Sequence, residues 1–175
     1  MADSYTSFLA SLGNLVLQAN YLGEALIDLV WVGKRQNGAE LISEVRDKTL
    51  GDLVELVVKG SYDEFDGLGL AKDLESLKPL LKKALKERNA FIHASWTFRD
   101  DETVDRWRLP REGKKRRGER LRLSIDDVET AIEAIDAARE AAEELYDQAV
   151  EQRPPPARGG VLTEDGTYTP IGSKS

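Results

Sequence analysis

The chain has 175 residues, 41% hydrophobic and 33% charged, with a net charge of -7 at neutral pH, no cysteine and one histidine. That length suits one domain with a single core, and the composition is that of a soluble globular protein richer in charge than most. The absence of cysteine excludes disulfides, thiolate catalysis and Cys-based zinc sites, and the lone histidine excludes a His-rich metal cluster within one protomer.

The first predicted element is a long helix over about residues 5 to 33. Phe8, Leu9, Leu12, Val16, Ala19, Leu22, Leu26, Leu29 and Val30 recur there at helical spacing. No apolar run approaches the roughly 18 residues of a membrane span, and Met1-Ala2-Asp3-Ser4 lacks the basic and apolar blocks of a signal peptide. The expectation is a cytoplasmic protein with no membrane contact. Asn37-Gly38 marks a turn, and Leu41, Ile42 and Val45 form either a short turn of helix or an extended piece. Thr49 is the expected N-cap of a helix over Leu50 to Lys59 that Gly60 ends, and residues 60 to 70, with Gly60, Gly67 and Gly69, read as a loop.

Leu74, Leu77, Leu81, Ala84, Leu85 and Ile92 outline a helix from about Ala71 to Ser95. Pro79 is expected to kink it, or to mark a fresh start capped by Ser76. Beyond it the period changes to two in Trp96–Arg99, Val104–Leu109 and Glu119–Leu123, which predicts a small antiparallel meander or a hairpin with a frayed third strand. Ser124-Ile125-Asp126-Asp127 resembles a capping box with Asp in place of Glu. It opens a last helix whose buried stripe is Ile125, Val128, Ile132, Ile135, Ala138, Ala142, Leu145 and Ala149. The fold class is therefore mainly α: a helical domain over 1–152 with a β insert at about 96–123. Residues 153–175, rich in proline and glycine, are expected to be a disordered tail.

Charge is unevenly spread. Between Arg106 and Arg122 stand nine basic residues and two acidic ones, a local charge of +7 on an otherwise acidic chain. Such a segment serves as a phosphate contact, as a contact for an acidic partner, or simply as a solvated turn. Asp100, Asp101, Glu102 and Asp105 are read as solvated hairpin acids rather than a metal site.

The only histidine lies in Glu87-Arg88-Asn89-Ala90-Phe91-Ile92-His93-Ala94-Ser95-Trp96. In a chain with no other group that ordinarily titrates near pH 7, His93 is the first candidate for proton transfer. On an ideal helix Asn89 lies about 40° from His93 around the axis and Arg88 about 140° away. Asn89 is thus the expected partner of the imidazole, and Arg88 is expected to need a cleft completed by another surface. Read plainly, His93 complements a helix C-terminus, and Arg88 pairs with Glu87 or Glu55.

Arg88-Asn89-Ala90-Phe91-Ile92-His93 resembles the signature of the HEPN superfamily, an arginine and a polar residue followed, four to six positions after the arginine, by a histidine. The long first helix, Leu50-Gly51, the motif late in a central helix and the long last helix are similar to the HEPN bundle over roughly residues 5 to 150; the β insert departs from it. The resemblance implies a metal-independent endoribonuclease without a cofactor, usually a homodimer. Such proteins often serve as toxins or antiviral defence effectors restrained by an antitoxin or regulatory protein. By that likeness Arg88 binds the scissile phosphate, His93 acts on the ribose 2′-hydroxyl or the leaving oxygen, and Asn89 supports both. The candidate RNA contacts are Arg108, Lys114, Lys115, Arg116 and Arg117, with Trp96 and Trp107 either stacking bases or packing the insert onto the helices. Two other readings stay open: a non-catalytic nucleotide- or RNA-binding helical module, and a helical protein-interaction domain.

Overall fold

The computed structural model describes residues 2–34, 38–93, 95–99, 103–108, 119–153, 160–162 and 168–170. These form α1 (Ala2–Lys34), α2 (Gly38–Val45), α3 (Leu50–Gly60), α4 (Tyr62–Gly67) and α5 (Ala71–Ile92), then β1 (Ser95–Phe98), β2 (Val104–Arg108) and β3 (Glu119–Leu123), and finally α6 (Ile125–Gln152), β4 (Gly160–Leu162) and β5 (Tyr168–Pro170). The protein is mainly helical with a small antiparallel sheet before the last long helix. Two compact units are present, one from Met1–Leu22 and Pro79–Arg139, the other from Gly23–Lys78 and Glu140–Ser175.

In the first unit α1 buries Phe8, Leu15, Ala19 and Leu22. Their seven-, four- and three-residue steps keep one line along a helix. Leu9 and Val16, expected in that line, are 44% and 42% exposed, and Leu15 is fully buried instead. The two lines differ by one residue, about 100° of rotation, and both are apolar, so composition alone does not select the phase. A helix over Tyr5–Lys34 is also long and apolar enough to cross a membrane by length and composition, contrary to the expectation above, although half of its most apolar window is buried.

The sheet has the order β1-β2-β3, every neighbour antiparallel. Ser95 pairs with Trp107 and Phe98 with Val104, while Val104 also pairs with Leu123 and Arg108 with Glu119. The third strand is paired along its whole length, which settles the choice between meander and frayed hairpin. Val104 and Leu123 are buried, and Trp96 packs stacked on Phe91 at 5.7 Å and edge-on to Phe8 at 5.6 Å. This aromatic trio holds β1 to α1 and α5. α6 starts as its sequence indicates, with Ser124 N and Oγ both donating to Asp127 Oδ2 at 2.7 and 3.1 Å. Here it buries Val128, Ala131, Ile135 and Ala138.

α5 runs as one helix through Pro79, so Ser76 does not cap a fresh start. Proline removes the bond that residue 79 would give to the Glu75 carbonyl. Ser76 Oγ donates to the Lys72 carbonyl at 3.0 Å, a bond made inside a helix, and the burial of Leu77 and Leu81 on either side offsets the loss. The helix stops at Ile92, short of Ser95.

In the second unit residues 38–45 are helical, with Leu41 buried, and Lys34 pairs with Glu44 at 2.5 Å. Thr49 caps α3 as expected: Asp52 N donates to its Oγ1, while Thr49 N donates back to Asp52 Oδ2 at 2.9 Å. The 60–70 stretch is not simply a loop, because it contains α4 around the fully buried Phe65. Gly69, at φ 74°, closes it: Gly69 N donates to the Asp66 carbonyl and Leu70 N to the Phe65 carbonyl. That is a Schellman end, with Leu70 and Phe65 as its apolar pair. A glycine taken as loop-forming ends a helix. Gly33 allows a close approach, since a Cβ there would lie 3.0 Å from Ser61 Cβ and 3.1 Å from Phe65. In the region expected to lack structure, β4 and β5 pair antiparallel, Val161 opposite Thr169.

The two hydrogen bonds from Thr49, side chain first and backbone second, hold the Asp52 carboxyl below the usual carboxylate range. A depressed folded value stabilises the protein above the ordinary Asp pKa, and this contribution is lost as pH falls through the folded value. Asp52→Asn is therefore expected to lower stability at neutral pH. In urea titrations the wild type should lose more stability than the variant between about pH 5 and about pH 2.

Candidate functional site

Arg88, Asn89 and His93 meet at the C-terminal end of α5, in the first unit. Arg88 Nη1 donates to Asn89 Oδ1 at 3.0 Å and lies 3.4 Å from His93 Nε2. Asn89 makes no hydrogen bond to the ring. The expected pairing is thus reversed: Arg88, not Asn89, faces the imidazole, and it reaches it within one chain. The reason is local. α5 ends at Ile92 and His93 stands in the following turn, where rotation of 100° per residue no longer applies. An arginine N–H directed at Nε2 makes that nitrogen the acceptor and places the ring proton of the neutral tautomer on Nδ1.

Both plain ion-pair readings of Arg88 fail. Glu87 lies 3.8 Å from Lys86, and Glu55 pairs with Lys59 at 2.5 Å. Among the described residues no carboxylate pairs with the half-buried guanidinium, and its Nε is buried without a hydrogen-bond partner. His93 is exposed. A half-buried cation beside an exposed imidazole and a carboxamide is a set of groups suited to an anion that also carries a removable proton.

The end of a helix is the wrong pole for an anion, because the last carbonyls carry partial negative charge. Arg106 offsets this. It is buried on β2, and its Nη1 donates to the Ala90 carbonyl at 3.2 Å, one of the four carbonyls that the helix leaves unpaired. Sequence reasoning counted Arg106 among the basic cluster and did not see this role. The signal for it was weak: an arginine on a central strand, next to the buried Val104 and Asp105.

Asp105 is a second correction. It is not a solvated hairpin acid but 2% exposed, in mid-strand opposite Thr97 and Arg122. Arg99 contacts its Oδ2 through Nε at 2.6 Å and Nη2 at 2.5 Å, and Arg122 Nε lies 4.0 Å from Oδ1. A buried carboxylate between two water-accessible guanidiniums keeps its charge partnered. Among the described residues, no group of three or more His, Asp or Glu side chains converges to hold a metal ion.

Of the candidate RNA contacts, Lys114, Lys115, Arg116 and Arg117 lie outside the described residues. Trp107 and Arg108 are placed on β2 by their backbone, and their side chains are not among those described. Trp96 is half-buried and spends one ring face on Phe91, as a residue that packs the insert onto the helices.

Comparisons of the chain with protein-family models, curated proteins and solved structures return no match in any of the three.

Two substitutions separate the roles of these arginines. Arg99→Ala strips the buried carboxylate of its nearest charge and is expected to cost about 2 kcal/mol in urea unfolding, more than Asp105→Asn, which leaves two arginines that water already reaches. Arg106→Ala uncovers the Ala90 carbonyl and loosens the last turn of α5. Since the chain has one histidine, its ring protons are single resolvable NMR signals, and they are expected to shift in both Arg106→Ala and Arg88→Ala.

Proposed function

We propose that the protein is a metal-independent endoribonuclease of HEPN type, acting in the cytoplasm as a homodimer. The observation that carries the reading is the Arg88 guanidinium, paired with no carboxylate among the described residues and placed against both Asn89 and the only histidine. In the reaction, a non-bridging phosphate oxygen takes the place beside Arg88 and spreads its charge onto the guanidinium. His93 Nε2, already the acceptor nitrogen of the ring, takes the proton of the ribose 2′-hydroxyl. The 2′-oxygen attacks phosphorus and the bond to the 5′-oxygen breaks. That oxygen leaves with a proton, giving a 2′,3′-cyclic phosphate and a 5′-hydroxyl. DNA is inert because it lacks the 2′-hydroxyl.

One imidazole supplies the base but not, at the same moment, the acid. A two-fold dimer brings a second His93 of the partner subunit into a shared cleft and answers this need. Asn89 holds the arginine rather than the histidine, so its part is to orient the phosphate-binding group. The basic insert, through Arg108 and Lys114 to Arg117, supplies the sequence-independent grip on RNA that an acidic protein otherwise lacks. A nuclease of this kind suits a toxin or antiviral effector, restrained by an antitoxin or regulatory protein.

Single-stranded RNA incubated with the protein in EDTA is expected to be cut, leaving cyclic phosphate ends, while the same DNA sequence stays intact. His93→Ala is expected to lower the single-turnover rate by about 10²–10⁴-fold, and Arg88→Ala to weaken both binding and turnover. If the wild type binds RNA and never cuts it, the site is a phosphate-holding module instead. Indifference to RNA removes both readings.

A further inference from the structure

From Ser4 to Gly23 the chain carries no charged residue, although one-third of the whole is charged. Over this stretch α1 presents to solvent a row of residues four apart: Tyr5 at 48%, Leu9 at 44%, Gly13, Leu17 at 46% and Tyr21 at 43% exposure. The row reads Tyr-Leu-Gly-Leu-Tyr in either direction. Among the described residues a Cβ at Gly13 would meet nothing within 4 Å, so none of them requires glycine there. In a helix interior glycine costs about 1 kcal/mol relative to alanine.

We propose that this face of α1 docks a second copy of the chain, antiparallel, with the two-fold axis passing by Gly13. Under that operation Leu9 meets the partner's Leu17, Tyr5 meets the partner's Tyr21, and Gly13 meets its own copy. The neighbouring positions agree in type: Ala10 falls against the partner's Val16 and Thr6 against the partner's Asn20. An isologous contact requires such self-complementarity, and few helix faces have it over four turns. The rows that join residues i and i+4 on two helices run together at a crossing of about -50°, and the point of nearest backbone approach then falls at the glycine.

Charge and area argue for the same occupant. Two copies of a protein of net charge -7 repel each other over most of their surfaces, and this strip is where no like charges meet. The five-residue row exposes on the order of 400 Å² per copy, taking about 150–250 Å² for each large side chain. Two such faces bring together on the order of 800 Å², to which the small residues between them add, an area in the range of weak, transient contacts, so the dimer is reversible and sensitive to concentration. The inference gives a surface to the dimer invoked in the proposed function and rests on that reading only for its use. Association is measured without RNA, so failure of the interface and failure of the nuclease reading remain distinct.

The chain has no cysteine of its own, so introduced cysteines report the register directly. Sedimentation of the wild type is expected to show a monomer–dimer equilibrium, and Leu17→Lys, on an exposed position, to raise the dissociation constant at least about tenfold with an unchanged circular dichroism spectrum. Gly13→Cys is expected to form a disulfide-linked dimer under mild oxidation. Leu9→Cys alone stays uncrosslinked, and a mixture of Leu9→Cys and Leu17→Cys proteins crosslinks. A monomer at every concentration overturns the proposal, as does a dimer that survives Leu17→Lys or a Leu9→Cys protein that crosslinks to itself. A monomer that floats with phosphatidylcholine–phosphatidylglycerol vesicles likewise overturns it and gives the strip to lipid.

Discussion

The bond from Arg106 to the Ala90 carbonyl is the contact on which the arrangement at the end of α5 depends. A helix terminus leaves carbonyls unpaired, and a buried one has to find a donor from elsewhere. Here the donor comes from the central strand of the sheet inserted after the helix. The same guanidinium satisfies a backbone group, opposes the negative pole of the helix and ties β2 to the turn in which His93 stands. The sheet is therefore more than an ornament on a helical fold. Its middle strand supplies a donor to the last turn of α5, one helical turn before His93.

The basic segment looks different once its residues are placed. Counted along the sequence, it is a +7 cluster. In the fold, Arg106 is buried under a helix end, and Arg122 shares the buried Asp105 with Arg99. Part of the positive charge is thus structural, spent on a carboxylate and a carbonyl inside the protein. Arg88, by contrast, pairs with no acid among the described residues of an acidic chain. Local placement, not net charge, decides which cation remains available to an outside anion.

Much of the architecture was legible in the sequence because burial leaves a period. The stripe of α6, the capping pair Thr49 and Asp52, and the two-residue alternation of the three strands each point to the element that forms. The misreadings share a physical cause: a residue type was given its commonest role. The fresh start expected at Pro79 does not occur, because the helix continues through it between the buried Leu77 and Leu81. Gly67 and Gly69 were read as loop, although Gly69 closes a helix around Phe65. Asp105 was read as solvated because it followed three acids, although strand pairing carries it inward. At the site, composition identified Arg88, Asn89 and His93, while their mutual geometry was hidden because the helix stops one residue before His93. The helix ends at Ile92, and the donor to its Ala90 carbonyl is a strand residue, Arg106, sixteen positions beyond Ala90.

The aromatic trio of Phe8, Trp96 and Phe91 also bears on how the chain comes into being. Phe8 is synthesised roughly 90 residues before its partner Trp96, several seconds at ordinary rates of translation. During that interval α1, uncharged along two-thirds of its length, has no sheet to lie against. Contacts of such long sequence separation form late, after the loop-closure entropy has been met. The nascent chain therefore carries an apolar stretch whose aromatic partner is still unmade, and the packing of β1 against α1 waits for it.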